Sequence, residues 1–299
     1  MRKLRIEPIE NSKETRELQY QEHLNSKSRM KSYEEFKATV YANLVSYKEQ
    51  NITKECGSYK GIEYKEFLPE SYWGRELPAM LYSGINAIVS EIQKSIYKYK
   101  PHIFANKHVA SSQTACVNLF VPIMESPEVD QILMSLEACP KDFKHVAKDQ
   151  LYHGYRFEFW DSVDEKSKGL LGDHSKQAGT DSDVAIAYYN TKDELCLWLI
   201  EHKLTEQEFT TCGAYKSKGN NEEGKDHCRK CSIVEILDKP NLCYYHRVSK
   251  YNYWNIMRDG AANFFSGAFD GKGCPFRGGM NQLWRNQLLA IALEKSGAY

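Results

Sequence analysis

DVAIAYYNTKDELCLWLIEHK, residues 183–203, holds two apolar runs rich in branched and aromatic side chains, separated by a short polar break. The pattern predicts two strands, Asp183–Asn190 and Leu195–Leu204, joined by a turn over Asn190–Glu194. Side chains alternate along an extended strand, so Glu201 and Lys203 share one face. Both stand at the end of the very apolar LCLWLI, where a solvated surface charge pair is not expected. A hairpin would carry Asp183 and Glu201 to neighbouring strands at the same end of a sheet.

Working outward, YRFEFWD (Tyr155–Asp161) alternates aromatic and polar residues and predicts a further strand, followed by a loop over Ser162–Gly179. Upstream, apolar residues recur at helical spacing in Ser32–Gln50 and in Pro78–Lys100, with a loop expected for CGSYKGIEYKEFLPESYWG between them. Serine caps a helix opening at Ser111–Ser112–Gln113, and Ser126–Leu136 predicts another short helix. A glycine-rich stretch, Gly267–Gly279, precedes a closing helix from about Met280 to Lys295. Helices, then a short sheet, then a helix place the chain in the α/β (α+β) class. No internal repeat argues for a solenoid or a propeller.

The chain has 299 residues, 40 basic and 40 acidic, with 12% aromatic residues, 20 of them tyrosine. This length and composition support a sizeable core and exclude a disordered chain. The neutral balance excludes a polybasic protein that binds phosphate polymers through bulk charge. No apolar leader is visible at the start, and no apolar run nears the roughly 18 residues of a membrane span, so a cytoplasmic location without membrane contact is the expectation.

Two converging carboxylates supply hard oxygen ligands suited to Mg²⁺ or Mn²⁺. Beside them, Lys203 would stabilise an attacking hydroxide or developing negative charge, a combination suited to phosphodiester hydrolysis. Asp183 followed by Glu201–His202–Lys203 resembles the core of the PD-(D/E)XK nuclease superfamily, in its restriction-endonuclease-like group. SSQTACVNLFVP, FEF, LIEHKLTEQEF, CPF and QLWRNQLLA are similar in context, so the resemblance covers residues 108–299. It implies a restriction-endonuclease-like core with a central mixed β-sheet flanked by helices, preceded by a helical region over residues 1–107. It also implies a Mg²⁺-dependent DNA endonuclease with Asp183 and Glu201 as metal ligands and Lys203 as catalytic lysine. Glu158 is the best match for the additional acid of such nucleases. Ser182 stands where the motif has proline, and Asp181 competes as a ligand because it shares a face with Asp183. Gln113 and Asn118 on the preceding helix are further candidates for residues near the site.

Cys212, Cys228, Cys231, Cys243 and Cys274 fall in the last third of the chain, with Cys228 and Cys231 forming CRKC. Four of the five would complete a tetrahedral zinc site or hold a [4Fe–4S] cluster, within a metal loop spanning residues 205–275. The resemblance favours Cys212, Cys228, Cys231 and Cys274 as ligands, with Cys243 competing for the last place. The remaining cysteines read as buried or isolated thiols.

DNA contact is expected from Lys216, Lys218, Lys225, Arg229 and Lys230 around that loop, and from a second group, Lys94, Lys98, Lys100 and Lys107. On the closing helix, Gln282, Arg285 or Asn286 is placed to reach the site, with Arg285 the candidate DNA contact. Cutting both strands is simplest for a homodimer. The alternative from another class is a non-catalytic nucleic-acid-binding protein whose cysteines hold a structural zinc or iron–sulfur centre.

Overall fold

Ser182–Asn190 is enclosed on both faces, with Val184, Ala185, Ile186 and Ala187 all fully buried. An apolar strand of this kind belongs in the middle of a sheet covered on both sides, and the rest of the chain is built around it. The computed structural model describes residues 32–95, 105–162, 164, 166–175, 179–206, 209–261 and 273–297.

The order begins with helix α1 (Tyr33–Asn51), a small hairpin of β1 (Gly57–Tyr59) and β2 (Ile62–Tyr64), and helices α2 (Asn86–Lys94), α3 (Ser112–Met124) and α4 (Val129–Met134). The main sheet follows as β3 (Phe143–Val146), β4 (Tyr155–Phe159), β5 (Ser182–Asn190) and β6 (Leu195–Ile200). Then come short helices α5 (Gly213–Lys216), α6 (Glu222–Lys230), α7 (Ile233–Asp238) and α8 (Tyr253–Ile256), and finally α9 (Asn281–Ser296). Serine caps start several of them. Ser32 accepts the Glu35 N–H at 3.2 Å, Ser111 accepts that of Thr114 at 3.2 Å, and Ser232 with Glu235 forms a reciprocal capping box.

β5 pairs along its length with β6, from Val184 opposite Ile200 to Tyr189 opposite Leu195. Its other edge is shared: β4 pairs with the first half and β3 with the last residues. The α+β class expected from sequence holds, but all of these pairings are antiparallel, where a mixed sheet was expected. A parallel neighbour needs a crossover element, and the links from β4 to β5 and from β5 to β6 carry no helix among the described residues.

Two apolar layers sandwich the sheet. On one side Val184, Ile186 and Tyr188 pack with Val89 and Ile92 of α2, Val117, Phe120 and Val121 of α3, and Leu133 of α4. On the other, Ala185, Leu197 and Leu199 meet Trp254 of α8 and Trp284, Leu288 and Leu289 of α9. Each such fully buried branched or aromatic side chain contributes about 1.5–3 kcal/mol. Trp284 stacks on Phe276 at 4.2 Å and stands 5.2 Å from both Tyr253 and Trp254, so aromatic rings fill the second layer.

Several sequence expectations change at the edges of elements. The stretch 56–74, expected to be a loop, contains the β1–β2 hairpin, whose turn places Lys60 and Gly61 at positive φ. The helix expected from Pro78 starts only at Asn86, because Pro78 and Gly84 sit in tighter turns, and residues 96–100 lie outside the described residues. The second strand of the hairpin stops at Ile200 rather than Leu204, which frees Glu201 and Lys203 from the ladder. β3 and the short helices between residues 213 and 256 are too brief to show a period in sequence. No described helix is long and apolar enough to cross a membrane.

Candidate active site

The register of the sheet aligns three acids in a row. Phe157 stands opposite Val184 and Phe159 opposite Ser182, so Glu158 of β4 falls opposite Asp183. Continuing the β5–β6 ladder one step past Val184 and Ile200 sets Glu201 opposite Asp183 on the other side. Glu158 has φ +47°, a left-handed conformation that non-glycine residues rarely adopt in a strand. The consequence is visible in packing: Phe157 enters the first apolar layer, whereas Phe159, two residues on, enters the second. A regular strand would send both the same way. Strain of this kind persists where the surroundings over-determine it, commonly at functional sites.

Each carboxyl is held by donors from a different element. Glu158 Oε1 accepts the Gln113 amide of α3 at 2.8 Å. Asp183 Oδ2 accepts the His202 backbone N–H at 2.7 Å. Glu201 Oε1 accepts Lys203 Nζ at 2.5 Å and Gln282 Nε2 at 2.6 Å, and its Oε2 accepts Asn286 Nδ2 at 2.7 Å. Gln282 and Asn286 lie one turn apart on α9, which is why a single helix can clamp both oxygens. The Glu201 side chain is only 6% exposed and that of Lys203 21%.

The electrostatics follow from crowding acids into a desolvated corner. Burial pushes the Glu201 carboxyl up to about 7, and the adjacent Asp183 carboxyl adds to this while Lys203 opposes it. Burial likewise raises Glu158 to about 7 against the pull of Gln113, and raises Asp183 against the His202 N–H. Three half-buried carboxyls face one lysine, so the corner is short of positive charge. The Asp183 and Glu201 carboxyls also meet within hydrogen-bond reach of each other, where a cation would be shared between them. The residues therefore fit a divalent ion bound through Asp183 and Glu201. Among the described residues, no group of three or more His, Cys, Asp or Glu side chains is already drawn to the spacing of a bound metal ion.

A cleft of about 540 Å³ opens onto Glu158 and Asp183. Ser111–Gln113 at the start of α3 form one wall and Tyr33, Lys37 and Tyr41 of α1 the other. The Tyr33 hydroxyl donates to the Thr205 carbonyl at 2.5 Å, joining α1 to the chain just past Lys203. Sequence reasoning missed this wall. The only signal was the i, i+4, i+8 spacing of the three residues, a stripe that any amphipathic helix carries.

Other candidates lie elsewhere or are already engaged. Asp181 accepts His174 Nε2 at 2.7 Å, and the His174 ring stacks on Trp160 at 3.5 Å. Burial lowers the His202 pKa, and this residue serves the site through its backbone. Asn118 bonds the Met80 carbonyl and the Tyr82 N–H instead of the acids. Arg285 is turned inward, with Nη1 on the Gly179 carbonyl at 3.0 Å and the Thr180 hydroxyl at 3.2 Å, beside the buried Asp173. On α6, Arg229 and Lys230 are exposed but paired with Asp226 at 2.5 and 2.6 Å, and Arg229 also reaches Glu222. Lys216, at the end of α5, and Lys218 are exposed, while Lys98 and Lys100 lie outside the described residues.

The chain matches no curated protein and no solved structure. Residues 41–298, nearly the whole described chain, match a family model described as restriction endonuclease associating with ARP. The chain therefore belongs to that restriction-endonuclease family.

Proposed function

We propose that this protein is a metal-dependent DNA endonuclease that hydrolyses phosphodiester bonds through a PD-(D/E)XK-type site. The observation that carries the reading is the row of Glu158 and Asp183 on adjacent strands and Glu201 just past the end of a third, with Lys203 Nζ 2.5 Å from Glu201, beside an open cleft. Membership of a restriction-endonuclease family supports DNA as the substrate.

In this reading Asp183 and Glu201 hold the cation, with Glu158 as the third acid. A Mg²⁺ or Mn²⁺ ion at that position supplies neutralisation of phosphoryl charge and acidification of water. Lys203 places its ammonium where the attacking oxygen gathers negative charge. Gln282 and Asn286 orient Glu201 without touching the reacting atoms. Such supporting hydrogen bonds are commonly worth about 10–100-fold in metal affinity or activity. Gln282→Ala and Asn286→Ala are therefore expected to raise the Mg²⁺ concentration giving half-maximal cleavage by about that factor. An unchanged metal dependence in both variants would remove them from this role.

The test of the whole reading is incubation of purified protein with supercoiled plasmid in Mg²⁺, in Mn²⁺ and in EDTA. Metal-dependent nicking or linearisation is the expected result. DNA binding without cleavage under any metal would favour a non-catalytic DNA-binding protein and overturn the proposal.

A further inference from the structure

Four chain segments meet at the second apolar layer, which includes Cys274 and Cys243, each bringing a cysteine. The Cys274 backbone N–H donates to the Cys228 carbonyl at 2.8 Å, and Arg277 Nη1 donates to the same carbonyl at 3.0 Å. Gly273, at φ +88°, lies so close to Arg229 that a Cβ there would stand 2.4 Å from its carbonyl oxygen. The Cys212 N–H donates to the Arg277 carbonyl at 3.2 Å. A Cβ on Gly213 would touch the Tyr245 hydroxyl at 3.0 Å, which brings the Cys212 segment to that of Cys243. Cys212, Cys228 and Cys274 are buried and Cys243 is half-buried. Cys243 acts on the charge of Cys212, Cys228 and Cys274, and Cys212 on that of Cys228 and Cys274, while Cys231 acts on Cys228 and itself faces Glu235.

Burial raises the pKa of all four thiols, and backbone N–H groups oppose it at three of the sulfurs. Backbone N–H groups of Ala214 and Tyr215 point at the Cys212 sulfur, those of Tyr245 and His246 at Cys243, and that of Phe276 at Cys274. Cys212 and Cys274 occupy the N-cap positions of α5 and of the 3₁₀ turn Pro275–Arg277, which is why their following amides converge on sulfur. The Trp254 indole N–H is buried without a partner at ordinary hydrogen-bond distance and faces the Cys243 sulfur. A neutral thiol is a weak acceptor and leaves such donors poorly satisfied, whereas a metal-bound thiolate is a strong one.

We propose that Cys212, Cys228, Cys243 and Cys274 form a tetrathiolate centre for a thiophilic metal, zinc or an iron–sulfur cluster, with Cys231 outside the ligand set. This replaces Cys231 of the sequence expectation by Cys243. The two-residue gap of CRKC suggested a shared ion, but Cys228 ends its side of the group on α6 while Cys231 caps that helix. Each thiol loses its proton to solvent on ligation. The thiols are not at single-ion spacing as they stand, so binding draws the four segments inward or takes a cluster larger than one ion. The proposal is independent of the nuclease reading, because no cysteine here touches Glu158, Asp183 or Glu201.

The full-length protein, purified anaerobically and reconstituted with Zn²⁺ or with Fe²⁺ and sulfide, is the material for the test. The expected result is about one zinc or about four iron per chain, the latter with broad visible absorption. Cys243→Ser should lose most of that metal and Cys231→Ser should keep it. Because Cys243→Ser could fail to fold, wild type is also titrated with a thiol reagent before and after chelation, and metal removal should expose about four additional thiols. Wild-type protein that takes up neither metal overturns the proposal. Loss of metal in Cys231→Ser with retention in Cys243→Ser overturns the ligand set.

Discussion

Lys203→Ala is expected to lower the rate of plasmid cleavage by about 10²–10³-fold while leaving DNA affinity within a few-fold of wild type. The size follows from what the ammonium does. It lies in a corner where three half-buried acids outnumber it, and it opposes the rise of all three carboxyl pKa values. Removing a preorganised positive charge costs the transition state most, because charge develops on oxygen there and not in bound DNA. A kcat loss with unchanged DNA retention in a mobility shift is the signature. A proportional loss of binding and cleavage would make Lys203 a phosphate anchor instead. Lys203→Arg separates charge from shape, and the fork of a guanidinium should not restore the rate, because it cannot occupy the place of a compact ammonium.

Asp173→Ala is expected to destabilise the fold by about 3–5 kcal/mol, the cost of breaking a buried charge pair from one side. Asp173 is 5% exposed and accepts hydrogen bonds from the Thr180 hydroxyl and from Tyr253, the latter at 2.6 Å, with Arg285 at 3.9 Å. Its loss leaves two hydroxyls without their acceptor and the Arg285 guanidinium without its counter-charge. Urea unfolding reads the change as a lower midpoint at constant m-value. A shift below about 1 kcal/mol would mean that water enters and replaces the carboxylate. The network also explains why Arg285, expected to contact DNA, faces inward. Its partner acid lies in a loop that sequence alone gave no reason to pair with α9, so the arginine looked like a free cation on a helix.

That contrast marks what the residues reveal on their own. The hairpin from Asp183 to Lys203 was legible because two apolar runs flank a polar turn, and a turn fixes which residues become neighbours. The closeness of Asp183 and Glu201 follows from that alone. The same holds for the closing helix, whose Gln282 and Asn286 share a face by spacing and reach Glu201. Glu158 was legible only as an acid in an aromatic strand. That it opposes Asp183, and that it bends the strand at φ +47°, depends on a pairing across a long loop that no local pattern encodes. The wall of the cleft from α1 and the proposed exchange of Cys231 for Cys243 likewise rest on contacts between distant segments. Spacing rules describe one element at a time, and these arrangements arise between elements.

Anomalous scattering from crystals soaked in Mn²⁺ tests the central claim most directly. A manganese peak bridging Asp183 and Glu201, and absent in a Glu201→Gln crystal, is the expected result. A fully soaked crystal with no peak between those two carboxyls, or a peak that persists unchanged in Glu201→Gln, would contradict the account.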